Sequence, residues 1–437
     1  MSFYHADRRL KLTELFWGIV GLCLLLTSAS AFAAPRGMQN RNPEWTPTEA
    51  AYPAGETPDH VTLTMPEDPA VSQSVGWRTS AVIKDGVVQY RELKARDANI
   101  SEKNAYHVEL AIPELINDPV TKHFYADLDN LKPNTAYLYR VGSKSAGKWS
   151  PYYKFVTAPV FGAPFSFICL GDIQTDYGLF WQLLSTIQSR HSDINFYLFT
   201  GDMVDDGENR NQWDLMLNTA DTLFAAKPMA AAMGNHDSHY VNDATQTLIF
   251  AEYFHQPHNG PWDLPIHHAY SFAYSNAYFI VLNTNDDTDQ QAFWLKAQLA
   301  YAREHSYQWL IVMFHHPVYT VHQRRTYTDL QEKWAPLFDE YGVDLVLSGH
   351  DHIYMRTAAL KNHKPTPEGE TGTVYVITNS SDKHYSPKKL PQTFVEIKDI
   401  PLYIKIDCGA TEEGRVFLRY RAIDLEGRVH DEFRLEK

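Results

Sequence analysis

Five segments of the sequence run through a short apolar stretch and then stop at Asp, Asn or His. They cover residues 165–172, 195–202, 228–236, 309–315 and 343–352. Such runs are typical of buried strands that end at a turn, and open α/β sheets build their sites at the carboxyl ends of strands. Carboxylate, amide and imidazole groups are ligands for zinc, manganese or iron. A single Gly-Asp turn indicates little, but the repeated pattern predicts a metal site.

The composition indicates an acidic globular protein. Its 437 residues are enough for two domains with sizeable cores, and 44% hydrophobic with 21% charged residues is normal for a globular chain. The formal net charge of −14 argues against nucleic acid as a partner, because phosphates demand clustered Lys and Arg. If an acidic protein acts on phosphate, bound metal is the obvious source of positive charge, and the 20 histidines suit that role.

The first residues have the pattern of a targeting signal. Basic residues precede an apolar run over 15–26, and Ala31 and Ala33 then match a small-residue cleavage site. The pattern predicts a signal peptide over residues 1–33, a secreted or periplasmic location, and no stable membrane insertion after cleavage. An uncleaved anchor is the alternative, because the apolar stretch could nearly span a bilayer. Residues 34–57, rich in Pro, Ala, Thr and Asn, predict a flexible lead-in.

Two cysteines would remain after cleavage, Cys169 and Cys408. Each lies within an apolar segment, where Cys commonly behaves as a small buried hydrophobe. A single disulfide between them is the open alternative.

Residues 58–158 have the pattern of a β-sandwich. Short alternating segments separated by turn residues occur at 61–64, 75–79, 87–90, 106–110, 124–128, 137–141 and 153–156. Residues 131–137 resemble the tyrosine-corner segment of fibronectin type III domains, in which Tyr137 would bond back to the chain. Trp77 would be the core aromatic. This region has no cluster that suggests catalysis, and a supporting or docking role is expected.

Residues 164–437 alternate apolar strands with helical patterns. Helical spacing occurs at 180–187, 212–224, 291–303 and 329–341. This alternation predicts a layered α/β domain with mixed sheets, which ends in antiparallel strands near the C terminus. A short Pro/Gly segment at 157–164 would link it to the sandwich.

In chain order the motifs are Gly171-Asp-Ile-Gln174, Gly201-Asp202, Gly234-Asn-His-Asp237, His315-His-Pro317 and Gly349-His-Asp-His352. This set resembles the calcineurin-like metallophosphoesterase superfamily. The sandwich ahead of it narrows the resemblance to the purple acid phosphatase group. The resemblance implies an α/β fold with a fibronectin type III-like N-terminal β-sandwich and a four-layer α/β/β/α metallophosphoesterase domain. It also implies hydrolysis of phosphate esters at two metal ions by a hydroxide held between them.

The same resemblance assigns the ligands. Asp202 would bridge both ions, Asp172 and His352 would bind the first, and Asn235, His315 and His350 would bind the second. Two divalent ions roughly 3.5–4 Å apart need a shared carboxylate, and two carboxylates offset only part of their charge. The remaining positive field would attract a phosphate dianion. Iron, zinc and manganese all stay open as the metals.

Two positions depart from the family pattern. The purple enzymes have a tyrosine three residues after the bridging aspartate, where this chain has Asp205. The superfamily has a histidine two residues after the first aspartate, where this chain has Gln174. The spacing favours Gln174 as the additional ligand of the first ion. Asp205 is the alternative ligand, or it caps the following turn.

His236 would act beside the metals, as a hydrogen-bond donor to phosphate or as the proton donor to the leaving oxygen. Asp237 could orient it. Among loop residues that could line the pocket, His322 ranks first, ahead of His316, Arg324 and Arg325. His267 and His268 precede a strand and are expected to be structural.

These observations predict a dinuclear metallophosphatase that acts on phosphomonoesters. A phosphodiesterase on the same scaffold is the nearest alternative. A non-catalytic surface binding module is an alternative of another class, and the six intact ligand positions argue against it.

Overall fold

The computed structural model describes residues 48–94, 99–174, 176–241, 244–246, 248–367 and 369–437, and no side chain between 239 and 248 is described. The predicted signal peptide and the lead-in up to residue 47 lie outside these ranges. From residue 48 onward the predicted lead-in is bound to the fold. The backbone N–H groups of Ala50, Ala51 and Ala54 donate to the side chains of Asn117, Asn211 and Asp118.

The N-terminal region is built from short strands in two sheets. The strands are β1 (Asp59–Thr64), β2 (Gln73–Ser80), β3 (Val87–Glu92), β4 (Ser101–Asn104), β5 (Tyr106–Ala111), β6 (Val120–Leu128), β7 (Ala136–Ser143), β8 (Lys148–Trp149) and β9 (Tyr153–Val156). One sheet has the order β1-β2-β6-β5, and the other has the order β4-β3-β7-β8 with β9 also paired to β7. The predicted short strands are confirmed, and β4 and β8 were not predicted.

The core between these sheets is aromatic. Trp77 is buried and stacks on Phe124 with ring centroids 5.4 Å apart, which confirms it as the core aromatic. The Tyr137 hydroxyl accepts a hydrogen bond from the backbone N–H of Lys132 at 2.9 Å. This is the predicted bond back to the chain, and it holds the turn before β7 against the strand itself.

The C-terminal region alternates strands and helices. Its helices are α1 (Tyr177–Arg190), α2 (Arg210–Phe224), α3 (Leu248–Tyr253), α4 (Thr288–Glu304) and α5 (Ala335–Tyr341), with a π-helix at Leu330–Trp334. The strands that carry the candidate ligands are β10 (Phe165–Leu170), β11 (Phe196–Phe199), β12 (Met229–Ala231), β17 (Trp309–Met313) and β18 (Leu345–Ser348). The others are β13 (His239–Val241), β14 (Ala244–Gln246), β15 (Tyr270–Tyr274), β16 (Ala277–Val281), β19 (Tyr354–Thr357), β20 (Leu360–Lys361), β21 (Lys364–Pro365), β22 (Val374–Ile377), β23 (Thr393–Ile397), β24 (Tyr403–Ala410), β25 (Val416–Ile423) and β26 (Val429–Glu436).

Two large sheets pack face to face and helices cover both outer faces. The first sheet has the order β26-β25-β24-β10-β11-β12, and the second has the order β15-β16-β17-β18-β22-β19-β23. Apolar side chains from both sheets form one core between them, helices α1 and α2 pack on the first sheet, and α4 and α5 pack on the second. The predicted four-layer α/β/β/α arrangement is therefore confirmed. Cys169 and Cys408 are buried free thiols in the core between the sheets.

The first large sheet continues into the N-terminal region. Strand β1 pairs in parallel with β12 at Thr64 and Met229, and the backbone N–H of Met65 donates to the Met229 carbonyl at 2.8 Å. The result is a single ten-stranded sheet that runs through both regions. The sequence did not predict this pairing, because it depends on a contact between distant segments.

The helix predicted at 329–341 is divided. A π-helical turn at Leu330–Trp334 precedes α5, and proline occupies the first turn of α5. Pro336 has no backbone N–H to donate to the preceding turn, so a continuous α-helical ladder is not available there.

No helix among the described residues is both long and apolar enough to cross a membrane.

Candidate metal centre

The candidate ligands lie at the carboxyl ends of parallel strands. Asp172, Asp202 and Asn235 follow β10, β11 and β12, which pair in parallel. His315 follows β17, and His350 follows β18, which is its parallel neighbour in the second sheet. Because the two sheets are stacked, both sets of strand ends open at one edge of the sandwich. Topology alone therefore brings five segments of the chain to one place.

The turns that carry the ligands need unusual backbone conformations. Asp172, Asp202 and His350 have φ values of 58°, 53° and 74°, in the left-handed region that non-glycine residues seldom adopt. Residues held there are over-represented at functional sites. Gly234 is needed for close approach, because a Cβ at this position would lie 2.1 Å from the Asp202 Oδ1 atom.

The side chains of three other candidate ligands surround the His315 ring. Its Nε2 atom lies 3.2 Å from Asp202 Oδ2, 3.2 Å from Asn235 Oδ1 and 3.0 Å from His350 Nδ1. Its Nδ1 atom is 2.9 Å from the Thr200 carbonyl oxygen. A hydrogen bond from Nδ1–H to a backbone carbonyl fixes the ring and turns the other nitrogen toward a ligand, as is usual for metal-binding histidines. His315 is fully buried.

Asp172 is buried and incompletely bonded. Its Oδ1 atom accepts a hydrogen bond from the backbone N–H of His350 at 2.8 Å and lies 3.6 Å from His352 Nε2. Its Oδ2 atom is buried with no hydrogen-bond partner. One oxygen or nitrogen from each of Asp172, Asp202 and His315 lies within 4.8 Å of the others. A buried carboxylate oxygen without a partner is costly unless a cation binds it, so the donor set fits metal ions.

The pKa values of Asp172 and Asp202 are shifted in opposite directions, although both carboxyl groups are buried close together. Burial, together with the Asp202 charge, raises the pKa of Asp172 to about 8. Burial acts to raise the pKa of Asp202 as well, but the His315 ring holds it below its usual range. Burial alone would lower the pKa of His315, yet the charges of Asp202 and Asp172 raise it to about 9. His315 and the two buried carboxyl groups therefore shift one another's pKa values.

The structure brings all seven predicted metal residues together. His352 lies beside Asp172, and its Nδ1 is 3.3 Å from Ser381 Oγ. Gln174 is buried, and its Nε2 donates to Asp202 Oδ2 at 3.1 Å while its Oε1 accepts from Lys383 at 3.3 Å. For Oε1 to face an ion at Asp202, the amide must turn over about its last bond.

The candidate proton donor His236 is half-buried beside Asp205. Its backbone N–H donates to Asp202 Oδ1 at 2.9 Å, and its Nδ1 is 2.8 Å from the Asp205 carbonyl oxygen and 3.7 Å from the Asp205 carboxylate. Asp237 does not contact the His236 ring through any described hydrogen bond. Its carboxylate instead accepts from the backbone N–H groups of Met203, Val204 and Gly234, and so ties two ligand turns together.

One rim of the centre is basic and aromatic. The ring of Tyr385 lies 5.2 Å from that of His322 and 5.0 Å from that of His352. The Arg325 guanidinium and the Lys383 ammonium lie over the same ring at 5.4 Å and 5.6 Å. His322 is thus placed on the rim rather than against the ligand carboxylates.

Asp351 holds the basic rim in place. It is fully buried, and in the sequence it lies between the candidate ligands His350 and His352. Its Oδ2 accepts hydrogen bonds from the Thr320 hydroxyl at 2.7 Å and from the backbone N–H of Val321 at 2.8 Å. Its Oδ1 is 3.1 Å from Arg325 Nη1, which also donates to the His350 carbonyl. No role was predicted for Asp351, although its place inside the Gly349-His-Asp-His352 motif puts it next to two candidate ligands.

An acidic cavity lies beside His316 and Tyr327. His316 Nδ1 is 2.7 Å from the Thr284 hydroxyl, and its ring lies 4.2 Å from that of His350. Thr284 and Tyr327 line a cavity of about 560 Å³. The charged residues that line this cavity are Asp286, Asp287, Asp289, Asp329 and Lys333. Lys383, Tyr385, Thr284 and Tyr327 were all missed, since they lie in loops without a motif.

Two family models match the chain. Residues 58–157 match the purple acid phosphatase N-terminal domain, and residues 165–354 match the calcineurin-like phosphoesterase domain. Residues 165–354 therefore form a calcineurin-like phosphoesterase domain. The first model ends where the linker begins, and the second ends just beyond His352, so every predicted ligand lies inside the matched phosphoesterase domain.

The chain is similar to phosphatases from three plants. It is 28% identical over 307 residues to Fe(3+)-Zn(2+) purple acid phosphatase 12 of Arabidopsis thaliana. The aligned residues cover 66% of this chain and 59% of the relative. It is 27% identical over 310 residues to purple acid phosphatase of Glycine max, covering 66% and 60%. It is 26% identical to phosphoenolpyruvate phosphatase of Allium cepa, covering 66% and 57%. The chain thus spans somewhat over half the length of these relatives.

Solved structures share the fold. Purple acid phosphatase PPD1 from yellow lupin (Lupinus luteus) seeds superposes with a TM-score of 0.72 at 20% identity, covering 87% of this chain and 74% of that one. The structure of PhoD superposes with a TM-score of 0.57 at 14% identity, covering 87% and 94%. Both likenesses include the N-terminal region as well as the phosphoesterase domain.

Proposed function

We propose that this chain hydrolyses phosphomonoesters at a dinuclear metal centre. The observation that carries the proposal is the position of His315 Nε2, within 3.2 Å of an oxygen of Asp202 and of Asn235 and 3.0 Å from His350. One carboxylate oxygen of Asp172 lies within 4.8 Å of Asp202 and His315, and the Asp172 Oδ2 atom is buried without a hydrogen-bond partner. A donor set of carboxylate, amide and imidazole groups at one open edge suits borderline divalent and trivalent ions.

In this proposal Asp202 is shared between the ions. Asp172, His352 and Gln174 hold the first, and Asn235, His315 and His350 hold the second. The name of the Arabidopsis relative supports iron and zinc, and manganese is the third candidate. When bound, two such ions would polarise the phosphoryl oxygens and activate a water molecule.

His236 is proposed as the proton donor. Its Nδ1–H is directed at the Asp205 carbonyl, so the proton that can be transferred sits on Nε2. The Asp205 carboxylate lies 3.7 Å from the same Nδ1 atom. The backbone N–H of His236 holds Asp202, which links the position of the donor to that of the shared ligand. Asp237 fixes both turns through the backbone and is a positioning residue.

The basic rim is proposed to bind the phosphate dianion. Arg325 and Lys383 supply positive charge around Tyr385, next to His322 and His352. A monoester dianion carries one more negative charge than a diester, so this rim favours the monoester. The acidic cavity of about 560 Å³ lined by Thr284 and Tyr327 would accept a neutral or cationic leaving group better than an anionic one.

The test uses the full chain, stripped of metal and reloaded with Fe³⁺ and Zn²⁺ or with Mn²⁺. Reloaded protein should hydrolyse p-nitrophenyl phosphate faster than bis(p-nitrophenyl) phosphate, and the metal-free protein should hydrolyse neither. Preference for the diester would favour the phosphodiesterase alternative. Full loading with two ions and no turnover of either ester would favour a binding module.

A secreted or periplasmic location is part of the proposal. The basic residues, apolar run and Ala31–x–Ala33 pattern at the start of the chain support it. Expression of the full chain in a bacterium should give a periplasmic product whose N-terminal sequence begins at Ala34. A product that keeps Met1 and sediments with the membrane fraction would support an uncleaved anchor instead.

A further inference from the structure

Three histidines outside the phosphatase site cluster where the two regions of the molecule meet. His255 follows α3, His258 lies three residues further on, and His267 precedes β15. One ring nitrogen of each lies within 4.8 Å of one from each of the others. The ring centroids are 5.1 Å, 5.5 Å and 4.6 Å apart, and each pair is edge-on rather than stacked. None of these residues belongs to the predicted phosphatase site.

Two of the rings are oriented by hydrogen bonds from their outer nitrogens. His267 Nδ1 is 2.9 Å from the Gln256 carbonyl oxygen, so it donates there and leaves Nε2 as an acceptor. His255 Nε2 is 3.2 Å from the Asp127 carboxylate. Metal-binding histidines commonly donate the hydrogen of their other ring nitrogen to a backbone carbonyl or a carboxylate, as these two rings do. The same arrangement occurs at His315 in the phosphatase site.

The cluster combines a rigid base with access from solvent. His255 and His267 are buried, and His258 is exposed. The backbone of His267 has a φ of 69°, a conformation that non-glycine residues adopt at a cost and usually for a reason of packing or function. Two ligands are thus preset by the fold, while the third can move by a side-chain rotation to complete a site.

We propose that His255, His258 and His267 bind one zinc-class divalent transition-metal ion, separate from the dinuclear centre. Tetrahedral Zn²⁺ places nitrogen ligands about 3.4 Å from one another, from Zn–N distances of about 2.0–2.1 Å. The ring nitrogens, within 4.8 Å, reach this spacing with small rotations. Three imidazoles leave the fourth position to water on the exposed side of His258. Imidazole ligands without a coordinating carboxylate favour Zn²⁺ or Cu²⁺ over Mg²⁺, Ca²⁺ or Mn²⁺.

The ion would connect the two regions of the molecule. The Asp127 carboxylate behind His255 belongs to β6, and the Tyr106 hydroxyl, 3.0 Å from His255 Nδ1, belongs to β5. His258 and His267 lie in the segment between α3 and β15 of the phosphoesterase domain. A metal bound at His255 Nδ1 would displace the Tyr106 hydroxyl from that nitrogen, while the Asp127 carboxylate at Nε2 still holds His255 against the N-terminal sandwich. Bound by all three rings, the ion therefore fastens that segment to the sandwich.

The test is a count of bound zinc on the full chain. Wild type and His258→Ala are stripped with chelator, dialysed against Zn²⁺ and analysed for metal per chain. Wild type should hold one more equivalent than His258→Ala. The same difference should appear between Asp202→Ala and the Asp202→Ala/His258→Ala double variant, because this ion does not depend on the dinuclear centre. Failure of the proposed phosphatase function would leave that second difference intact.

A stability measurement on the same samples removes ambiguity from the count. At a Zn²⁺ concentration of about 100 times Kd, the ion should raise the Tm of wild type by roughly 3–5 °C more than that of His258→Ala. His305→Ala is the matched control, since His305 is exposed and its ring bonds to its own helix at the Tyr301 carbonyl. Equal zinc in wild type and His258→Ala, or the same loss in His305→Ala, would overturn the proposal.

Discussion

Two buried charge clusters in this protein balance their carboxylates in different ways. Between the N-terminal region and helix α2, the Asp214 carboxylate is fully buried and lies 2.7 Å from Arg78 Nη1 and 3.3 Å from Arg210 Nε. Arg78 also pairs with Asp59, and Arg210 pairs with Asp118. In the metal centre, Asp172 and Asp202 are equally buried, but no arginine or lysine among the described residues forms an ion pair with either.

The difference shows what each cluster is for. A guanidinium keeps its charge at any pH that the protein meets, so the cluster around Asp214 is permanently paired. The imidazole of His315, in contrast, can release its proton, and a metal ion can then bind the freed nitrogen. Buried charges need partners in either case, but only the second arrangement can give way to metal ions. The comparison therefore separates a structural cluster from a metal-binding one.

The largest effect that tests this contrast is expected from Asp202→Ala. In the proposed centre Asp202 would be the carboxylate shared by both ions, so activity should fall by more than the factor of about 10–100 that loss of a hydrogen-bonding partner of a metal ligand costs. Metal content should fall with it. The measurement is kcat/KM for p-nitrophenyl phosphate with metal analysis, and Asp129→Asn, at an exposed surface pair, is the control. Full metal loading and full rate in Asp202→Ala would contradict the assignment.

The next effect is expected from His236→Asn, which removes the proposed proton donor and leaves the ligands in place. General acid catalysis contributes about 10²–10⁴-fold, so turnover of an alkyl phosphate should fall by that factor. The loss should be much smaller for p-nitrophenyl phosphate, whose leaving group departs without protonation. Metal content should be unchanged. Equal losses on the two esters, measured as kcat on the same samples, would indicate that His236 only holds the loop.

Asp214→Asn should affect stability and not metal. Removing the carboxylate leaves Arg78 and Arg210 buried with one partner fewer, which should cost about 3 kcal/mol, the lower end of the range for breaking a buried ion pair. The lower end is expected because Asp59 and Asp118 remain as partners. Denaturant unfolding monitored by Trp fluorescence gives the value. If metal content falls together with stability, the two clusters are not independent.

The smallest effect is a pH dependence of the metal-free protein. The pKa of His315 is raised from 6.5 to about 9, and that of Asp172 from 3.8 to about 8, so the folded state binds more protons than the unfolded chain between these limits. The stability from Asp172 is therefore lost as pH rises from 3.8 through about 8, and that from His315 as pH rises from 6.5 through about 9, so both losses act together above pH 6.5. The Tm of chelated protein should drop by a few degrees over this range, while reloading with Zn²⁺ should reduce the dependence. A rise of Tm with pH in the chelated protein would contradict it.

Most of the fold was predictable because its local signals agree with one another. The apolar runs at β10, β11, β17 and β18 are buried strands, and the helical spacing at 180–187 lies inside α1. The sandwich strands followed from alternation and turn residues. The pairing of β1 with β12 was not predictable, since it joins segments 165 residues apart at Thr64 and Met229 with no local signal.

The residues that meet at the candidate site were predictable, but their contacts were not. Strand ends in a parallel sheet converge, so residue types and order predicted a metal site there, and the family resemblance supplied the assignment of each ligand. The partner of the His236 ring was not predictable, because Asp205 and Asp237 are both close in sequence and only the turn geometry brings Asp205 to the ring. The Lys383 and Tyr385 rim comes from a loop with no motif.

The sequence by itself determined the fold class, the order of the motifs and the residue types that can bind metal, because these depend on apolar periodicity and on side-chain chemistry. The tertiary structure alone decided which carboxylates have arginine partners and which do not. It also decided that His255, His258 and His267 form a cluster, while the sequence had suggested only a structural role for His267. Both depend on long-range packing, which places residues distant in the chain within a few ångströms and removes water from between them.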